Sequence, residues 1–144
     1  MMNFDNMFDV SNKVVLVTGG AGGIGRGIAG AFVAGGAKVY IASRSDLSAA
    51  AEELSSYGSG VCFALQADLA SDDDIRGLAQ QIQERENRLN VLINNAALGG
   101  LIHQFEDFPI EDYDTMVRVN LRAPFALIKE CLPLLTLTGT ADAH

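Results

Sequence analysis

Thr18-Gly19-Gly20-Ala21-Gly22-Gly23-Ile24-Gly25 is the stretch on which the reading of this chain turns. Before it, Lys13–Val17 is a β-branched apolar run with the length of a buried strand. After it, Ile24, Ile28, Ala31 and Phe32 recur at helical spacing until the pattern stops at Gly35-Gly36. The glycines therefore occupy a strand-to-helix turn. Residues without Cβ let main-chain N–H groups and the positive helix end approach an anion that side chains would keep away, and a diphosphate fits such a seat. A triphosphate-cradling loop would end Gly-Lys-Ser/Thr, whereas this one continues Gly25-Arg26-Gly27. The bland alternative is a glycine turn that serves tight packing alone.

Working outward, Val39–Ala42 reads as a second strand, and Leu47, Ala50, Ala51 and Leu54 mark a second helix that fails near Tyr57-Gly58. Val61–Leu65 is a third strand. Ser71-Asp72-Asp73-Asp74 reads as an N-cap with a charge-complemented first turn, leading into Ile75, Leu78, Ala79 and Ile82 on one helical face. Val91–Ile93 is a fourth strand, closed by Asn94-Asn95 and followed by a loop opened by Gly99-Gly100. Pro109 starts a helical stretch whose apolar positions include Ile110, Tyr113, Val117 and Leu121. Pro124 should kink or restart that helix, and Leu127, Ile128, Leu132 and Leu135 carry an apolar face to about Leu135. Strands alternating with helices argue an α/β fold: a doubly wound, Rossmann-like parallel sheet of order 3-2-1-4. In that order the fourth strand ends at an exposed edge and the last helix lacks part of its cover, so the chain is expected to form a homo-oligomer or aggregate.

Composition narrows the partners. The 144 residues, 49% of them apolar, suffice for one domain with its own core. Ten bases against eighteen acids disfavour nucleic acid. The imbalance lies after residue 50, so an anionic ligand should prefer the first third. No uninterrupted apolar segment is long enough for a bilayer, and Met1–Asp9 lacks the basic start of a secretory signal. Cys62 and Cys131 read as small buried hydrophobes, and the default location is cytoplasmic.

Dinucleotide folds usually carry an acid at the tip of the second strand to bind the adenosine ribose. Here Ser43-Arg44 stands in that place. A guanidinium fork suits a phosphate, which favours NADP(H) over NAD(H). Asp46 keeps NAD(H) as the alternative, and an ordinary solvated cation is the bland account of Arg44.

With these residues in place the chain resembles the short-chain dehydrogenase/reductase family. Thr18, Gly19, Gly23 and Gly25 meet the spacing Thr-Gly-x-x-x-Gly-x-Gly, with Ile24 inside it. Asp68-Leu69 matches the family's aspartate beside the adenine, and Asn94-Asn95-Ala96 its Asn-Asn-Ala-Gly, with Ala97 in place of the glycine. Asn120 matches the asparagine of the family's catalytic tetrad, although a polar side chain satisfying backbone groups freed near Pro124 is an alternative. The resemblance implies a coenzyme held by Thr18, Gly19, Gly23, Ile24, Gly25, Ser43, Arg44, Asp68, Leu69, Asn94, Asn95 and Ala96. It also implies a small alcohol or carbonyl substrate. The family's serine and its Tyr-x-x-x-Lys are missing: Tyr40, Tyr57 and Tyr113 are followed four residues on by Arg44, Val61 and Val117.

That tyrosine supplies the proton at a developing alkoxide. The chain is therefore expected to be a dinucleotide-binding domain over 1–144, incomplete at its C-terminal end, with about 136–144 unlike the family. Such a chain would be an inactive fragment, a premature stop or a frame-shifted product. The competing reading is a non-catalytic dinucleotide-binding or interaction module. His103 reads as an incidental loop histidine.

Overall fold

A computed structural model describes residues 8–99 and 104–141, so His103 and Gly100 lie outside the described residues. The strands are β1 (Val14–Thr18), β2 (Lys38–Ser43), β3 (Val61–Gln66) and β4 (Val91–Ile93). They form one parallel sheet in the order β3-β2-β1-β4, as the alternation of periods predicts. Val17 is in register with Ile41 on one side and Ile93 on the other, which brings the C-terminal ends of the strands to a common rim.

The alternation along β1 separates two cores. Val15 and Val17 face helices α1 (Gly23–Ala34) and α2 (Ser48–Ser55), whereas Val14 and Leu16 pack toward α3 (Asp72–Arg85) and α5 (Ala123–Ala141). Successive strand side chains point to opposite faces, so β1 is buried along its whole length. In α3 the expected stripe is the observed one: Ile75, Leu78, Ala79 and Ile82 are buried, and the Ser71 hydroxyl accepts the Asp74 N–H. Its three acids all have partners. Asp72 pairs with Arg122, Asp73 with Arg76, and Asp74 accepts from the Asp68 N–H and the Ser71 hydroxyl.

In two helices the fully buried face is rotated from the one their spacing suggests, although Ile28 and Phe32 of α1 and Leu127 and Leu135 of α5 still pack against the core. In α1 the buried residues are Gly25, Ala29, Gly30 and Val33, while Ile24 is 78% exposed and Ala31 is exposed. Glycines let α1 lie close to its neighbours: a Cβ on Gly25 would clash with the Gly19 carbonyl just past β1, and one on Gly30 would sit 3.0 Å from the Tyr57 ring. Close approach, rather than hydrophobicity, chooses this face.

The chain from α4 (Ile110–Val117) into α5 behaves likewise. Val119, Ala123, Leu127, Cys131 and Leu134 are buried, whereas Ile110, Tyr113, Leu121, Ile128 and Leu132 stay exposed. Small residues at 123 and 131 again mark the side that meets the rest of the fold. Pro124 has the expected effect in an unexpected form. Directly before it, Arg118–Arg122 makes a π turn, with the Ala123 N–H donating to the Arg118 carbonyl. Proline has no N–H for the carbonyl four residues back, and the wider turn accommodates that loss without ending the helix.

If close approach decides the buried face of α1, Val33→Ala should cost about 2 kcal/mol from lost methyl burial and the cavity left behind. Ile24→Ala should stay within about 0.5 kcal/mol, as exposed substitutions do. Urea midpoints compared with unchanged m-values check this, and equal losses would restore the face centred on Ile24.

Candidate functional site at the C-terminal rim of the sheet

The site begins at the junction of β1 and β4. Thr18 is 1% exposed, and its hydroxyl accepts the N–H groups of Asn95 and Ala96, both at 3.1 Å. The Asn95 amide returns the contact, donating to the carbonyls of Thr18 at 3.0 Å and Gly19 at 3.2 Å. Gly19 turns the chain with φ +67° and donates its N–H to the Ala42 carbonyl of β2. The first turn of α1 then passes so close that a Cβ on Gly25 would lie 2.3 Å from the Gly19 oxygen and 2.4 Å from Asn95 Nδ2. Thr18 and Asn95 therefore act as struts between strand ends. Thr18 is buried, with its hydroxyl committed to the segment that follows β4.

The glycine turn leaves donors available. Gly22 is the N-cap of α1, and no side chain caps this end and no acid stands in the first turn. That contrasts with α3, whose start is capped by Ser71 and carries three acids. A Cβ on Gly22 or Gly23 would meet nothing within 4 Å, so the backbone here borders open space. Uncapped N–H groups at a helix start suit a phosphate.

Beside this turn lies a cavity of about 410 Å³ along the strand ends. Its walls include Gly19, Ser43 and Arg44, then Asp68 and Leu69, then Asn95 and Ala96. Seven of the residues singled out in the sequence are thus brought to one concave surface. Gly23, Ile24 and Gly25 form the adjoining start of α1, and Asn94 is exposed beyond β4. Arg44 is exposed at the rim, and its guanidinium has no ion-pair or hydrogen-bond partner among the described residues. Asp68 is held in place by its own turn, its carboxylate accepting the Ala70 N–H at 2.8 Å.

Asn120 lies in the π turn, and both ends of its amide are engaged. Oδ1 accepts the Leu98 N–H at 2.7 Å and Nδ2 donates to the Leu98 carbonyl at 2.9 Å. Its partner is the loop after β4, not the backbone near Pro124. Asp72 and Arg122 tie the same turn to the start of α3, and the guanidinium holds the Asp72 carboxyl below the usual carboxylate range. Thr115 and Val119, four residues apart on this segment, also line the cavity. Sequence reading passes over them, although i, i+4 spacing just before Asn120 places them on one face.

None of the tyrosines reaches the cavity wall. Tyr40 is buried with its hydroxyl on Glu86 at 2.6 Å, Tyr57 contacts Glu53 and Arg26, and Tyr113 is exposed on α4. The thiols of Cys62 and Cys131 are free, and burial pushes both up to about 11. They are inert packing groups at neutral pH.

Comparison with known proteins agrees with this geometry. The sequence pattern of the short chain dehydrogenase family matches residues 13–142. A rhamnolipid-biosynthesis 3-oxoacyl-[acyl-carrier-protein] reductase of Pseudomonas aeruginosa is 36% identical over 139 residues, 94% of this chain and 52% of the relative. A D-beta-hydroxybutyrate dehydrogenase of Cupriavidus necator is 32% identical over 86% of this chain and 48% of its own length. The structure of the Pseudomonas aeruginosa RhlG/NADP active-site complex superposes with a TM-score of 0.85 at 35% identity, covering 91% of this chain and 51% of that one. A metagenomic short-chain oxidoreductase in complex with NADP gives 0.82 at 30%, over 89% of this chain and 58% of that one. This chain spans about half the length of these relatives. With its glycine turn, its strand order and its Asn-Asn-Ala segment in the family's places, the chain belongs to the short-chain dehydrogenase family.

Proposed function

We propose that the chain binds NADP(H) in preference to NAD(H), as the coenzyme-holding portion of an oxidoreductase acting on an alcohol or carbonyl compound, and turns over no substrate by itself. The observation that carries this reading is Arg44, whose guanidinium is unpaired among the described residues, at the rim of a cavity whose walls include Gly19, Asp68, Leu69, Asn95 and Ala96. An uncompensated cation at the tip of β2 favours a ligand with an extra phosphate there. Relatives whose structures were solved with NADP support the same preference.

In this reading the N–H groups of Gly23, Ile24 and Gly25 face the diphosphate, and Ser43 and Arg44 face the adenosine ribose and its phosphate. Asp68 and Leu69 flank the adenine, while Asn94, Asn95 and Ala96 line the path toward the reacting end. Thr18 holds those segments in place. Asn120 belongs to the catalytic group through the loop at Leu98 that it fixes. The bound coenzyme would supply or accept a hydride. The complementary proton donor is absent, because no Tyr-x-x-x-Lys occurs in the chain. Residues 1–144 are accordingly read as one dinucleotide-binding domain lacking the part of the fold that carries the acid. A reducing cytoplasm is the location that two free, buried thiols support.

A non-catalytic dinucleotide-binding module is the second reading, favoured by the same missing tyrosine. Calorimetry separates the cases. NADPH should bind saturably and more tightly than NADH, and Arg44→Ala should weaken NADPH about 10- to 100-fold, the worth of one charged hydrogen-bonding group, with NADH little changed. Equal affinity for both coenzymes in the unsubstituted chain would sink the preference for the phosphate.

Gly25→Val should abolish coenzyme binding and lower the thermal midpoint, because its side chain would enter the space between the Gly19 carbonyl and the Asn95 amide. The purified chain with NADPH should reduce no carbonyl substrate above the buffer rate. Measurable turnover would show that another group donates the proton.

A further inference from the structure

The tip of β2 is shaped from β3. Ser43 and Gln66 are in register at the ends of the two strands, and the Ala67 N–H donates to the Ser43 carbonyl at 2.9 Å. One residue further along β2, the Gln66 carboxamide reaches across and donates through Nε2 to the Arg44 carbonyl at 2.8 Å. A side chain thus adds a rung just past the backbone ladder, at the residue that carries the cation. Beyond Arg44 the chain is turned by serine: the Ser45 N–H donates to Ser43 Oγ at 3.2 Å, and the two hydroxyl oxygens lie 3.1 Å apart. Asp46 is drawn to the next element, its carboxylate accepting the Ser48 N–H at 2.9 Å and the Ser48 hydroxyl at 2.6 Å at the start of α2. Neither Gln66 nor Asp46 lines the cavity that Ser43 and Arg44 border.

We propose that Gln66 is a positioning residue for coenzyme choice: by holding the Arg44 carbonyl it aims the guanidinium at the ribose phosphate that NADPH carries and NADH lacks. The inference rests on the coenzyme reading above and adds to it a residue on a different strand. A guanidinium on a free strand tip would have to be ordered by the ligand, and the entropy of fixing its backbone would subtract from affinity. A carbonyl tied to β3 is ordered before the ligand arrives. The gain falls on NADPH alone, because NADH presents no phosphate there for the guanidinium fork to grip. Asp46 is the acid nearest to Arg44 along the chain, and its engagement with Ser48 leaves the guanidinium unpaired among the described residues. Two side-chain contacts outside the cavity thus prepare one charge at its rim.

Gln66→Met keeps the length of the side chain and removes the donor. In calorimetry it should weaken NADPH about three- to ten-fold, the contribution of one hydrogen bond, and leave NADH within about two-fold. Because Gln66 acts through Arg44, the same change on an Arg44→Ala background should leave the ratio of NADPH to NADH affinity unmoved, a non-additivity that a general loss of structure would not produce. Hydrogen exchange reads the anchor without coenzyme: in Gln66→Met the Ser45 and Ser48 amides should exchange about three-fold faster or more, with Val14–Thr18 unchanged as the sign of an intact sheet. The unsubstituted chain tests the coenzyme reading by itself, and equal affinity for NADPH and NADH there would overturn that reading and this inference with it. A preference that Gln66→Met leaves intact, equal losses for both coenzymes, additive effects of the two substitutions, or unchanged exchange at Ser45 and Ser48 would each overturn the inference alone.

Discussion

The contact between the ends of β1 and β4 is the constraint on which the rest of the rim depends. One hydroxyl, that of Thr18, receives the amides of Asn95 and Ala96, and one carboxamide, that of Asn95, donates to two carbonyls of the β1 turn. The strand ends would otherwise hold unpaired donors and acceptors next to a buried core, each costing about 1–3 kcal/mol. Because the Asn95 amide lies against Gly19, the first turn of α1 has no room for a side chain at position 25. Gly25 is thus required by packing. The two demands on the glycine loop fall at different residues: Gly25 and Gly20 are needed for close approach, while Gly22 and Gly23 border open space.

The π turn is the second organising feature. It places Asn120 where its amide reaches Leu98, twenty-two residues earlier, and places Arg122 against Asp72 at the start of α3. A regular helix would rotate these side chains about 100° per residue past their partners. The extra residue in the turn lets one segment serve the cavity wall through Thr115 and Val119, the loop through Asn120, and α3 through Arg122. The outward side keeps its apolar residues exposed.

Much of this was legible beforehand because it depends on local rules. Strand-length apolar runs broken by glycine yield parallel strands, and right-handed crossovers fix their order. Ser71 with three acids could only begin a helix well, and the buried residues of α3 follow directly from their spacing. The rim residues were legible for a different reason. Strand ends in a parallel sheet all emerge at one edge, so the residues just past Thr18, Ala42, Gln66 and Ile93 must be neighbours.

What spacing alone could not decide was phase. Helices α1 and α5 each carry apolar residues on more than one side, and a period states which residues share a face without stating which face is buried. Ile24 lost that competition to Gly25 and Ala29, where small residues let α1 lie close to its neighbours, and Leu121 lost it to Val119, Ala123 and Leu127, which pack into the core shared with α3. The amino-acid order by itself determined the sheet, its strand sequence and the residues gathered at its rim, since those follow from local geometry and chirality. Only the tertiary structure decided that Thr18 and Asn95 hold the strand ends together, that Asn120 reaches Leu98, and which helix faces remain outside. Each of those depends on distances between segments that no local pattern encodes.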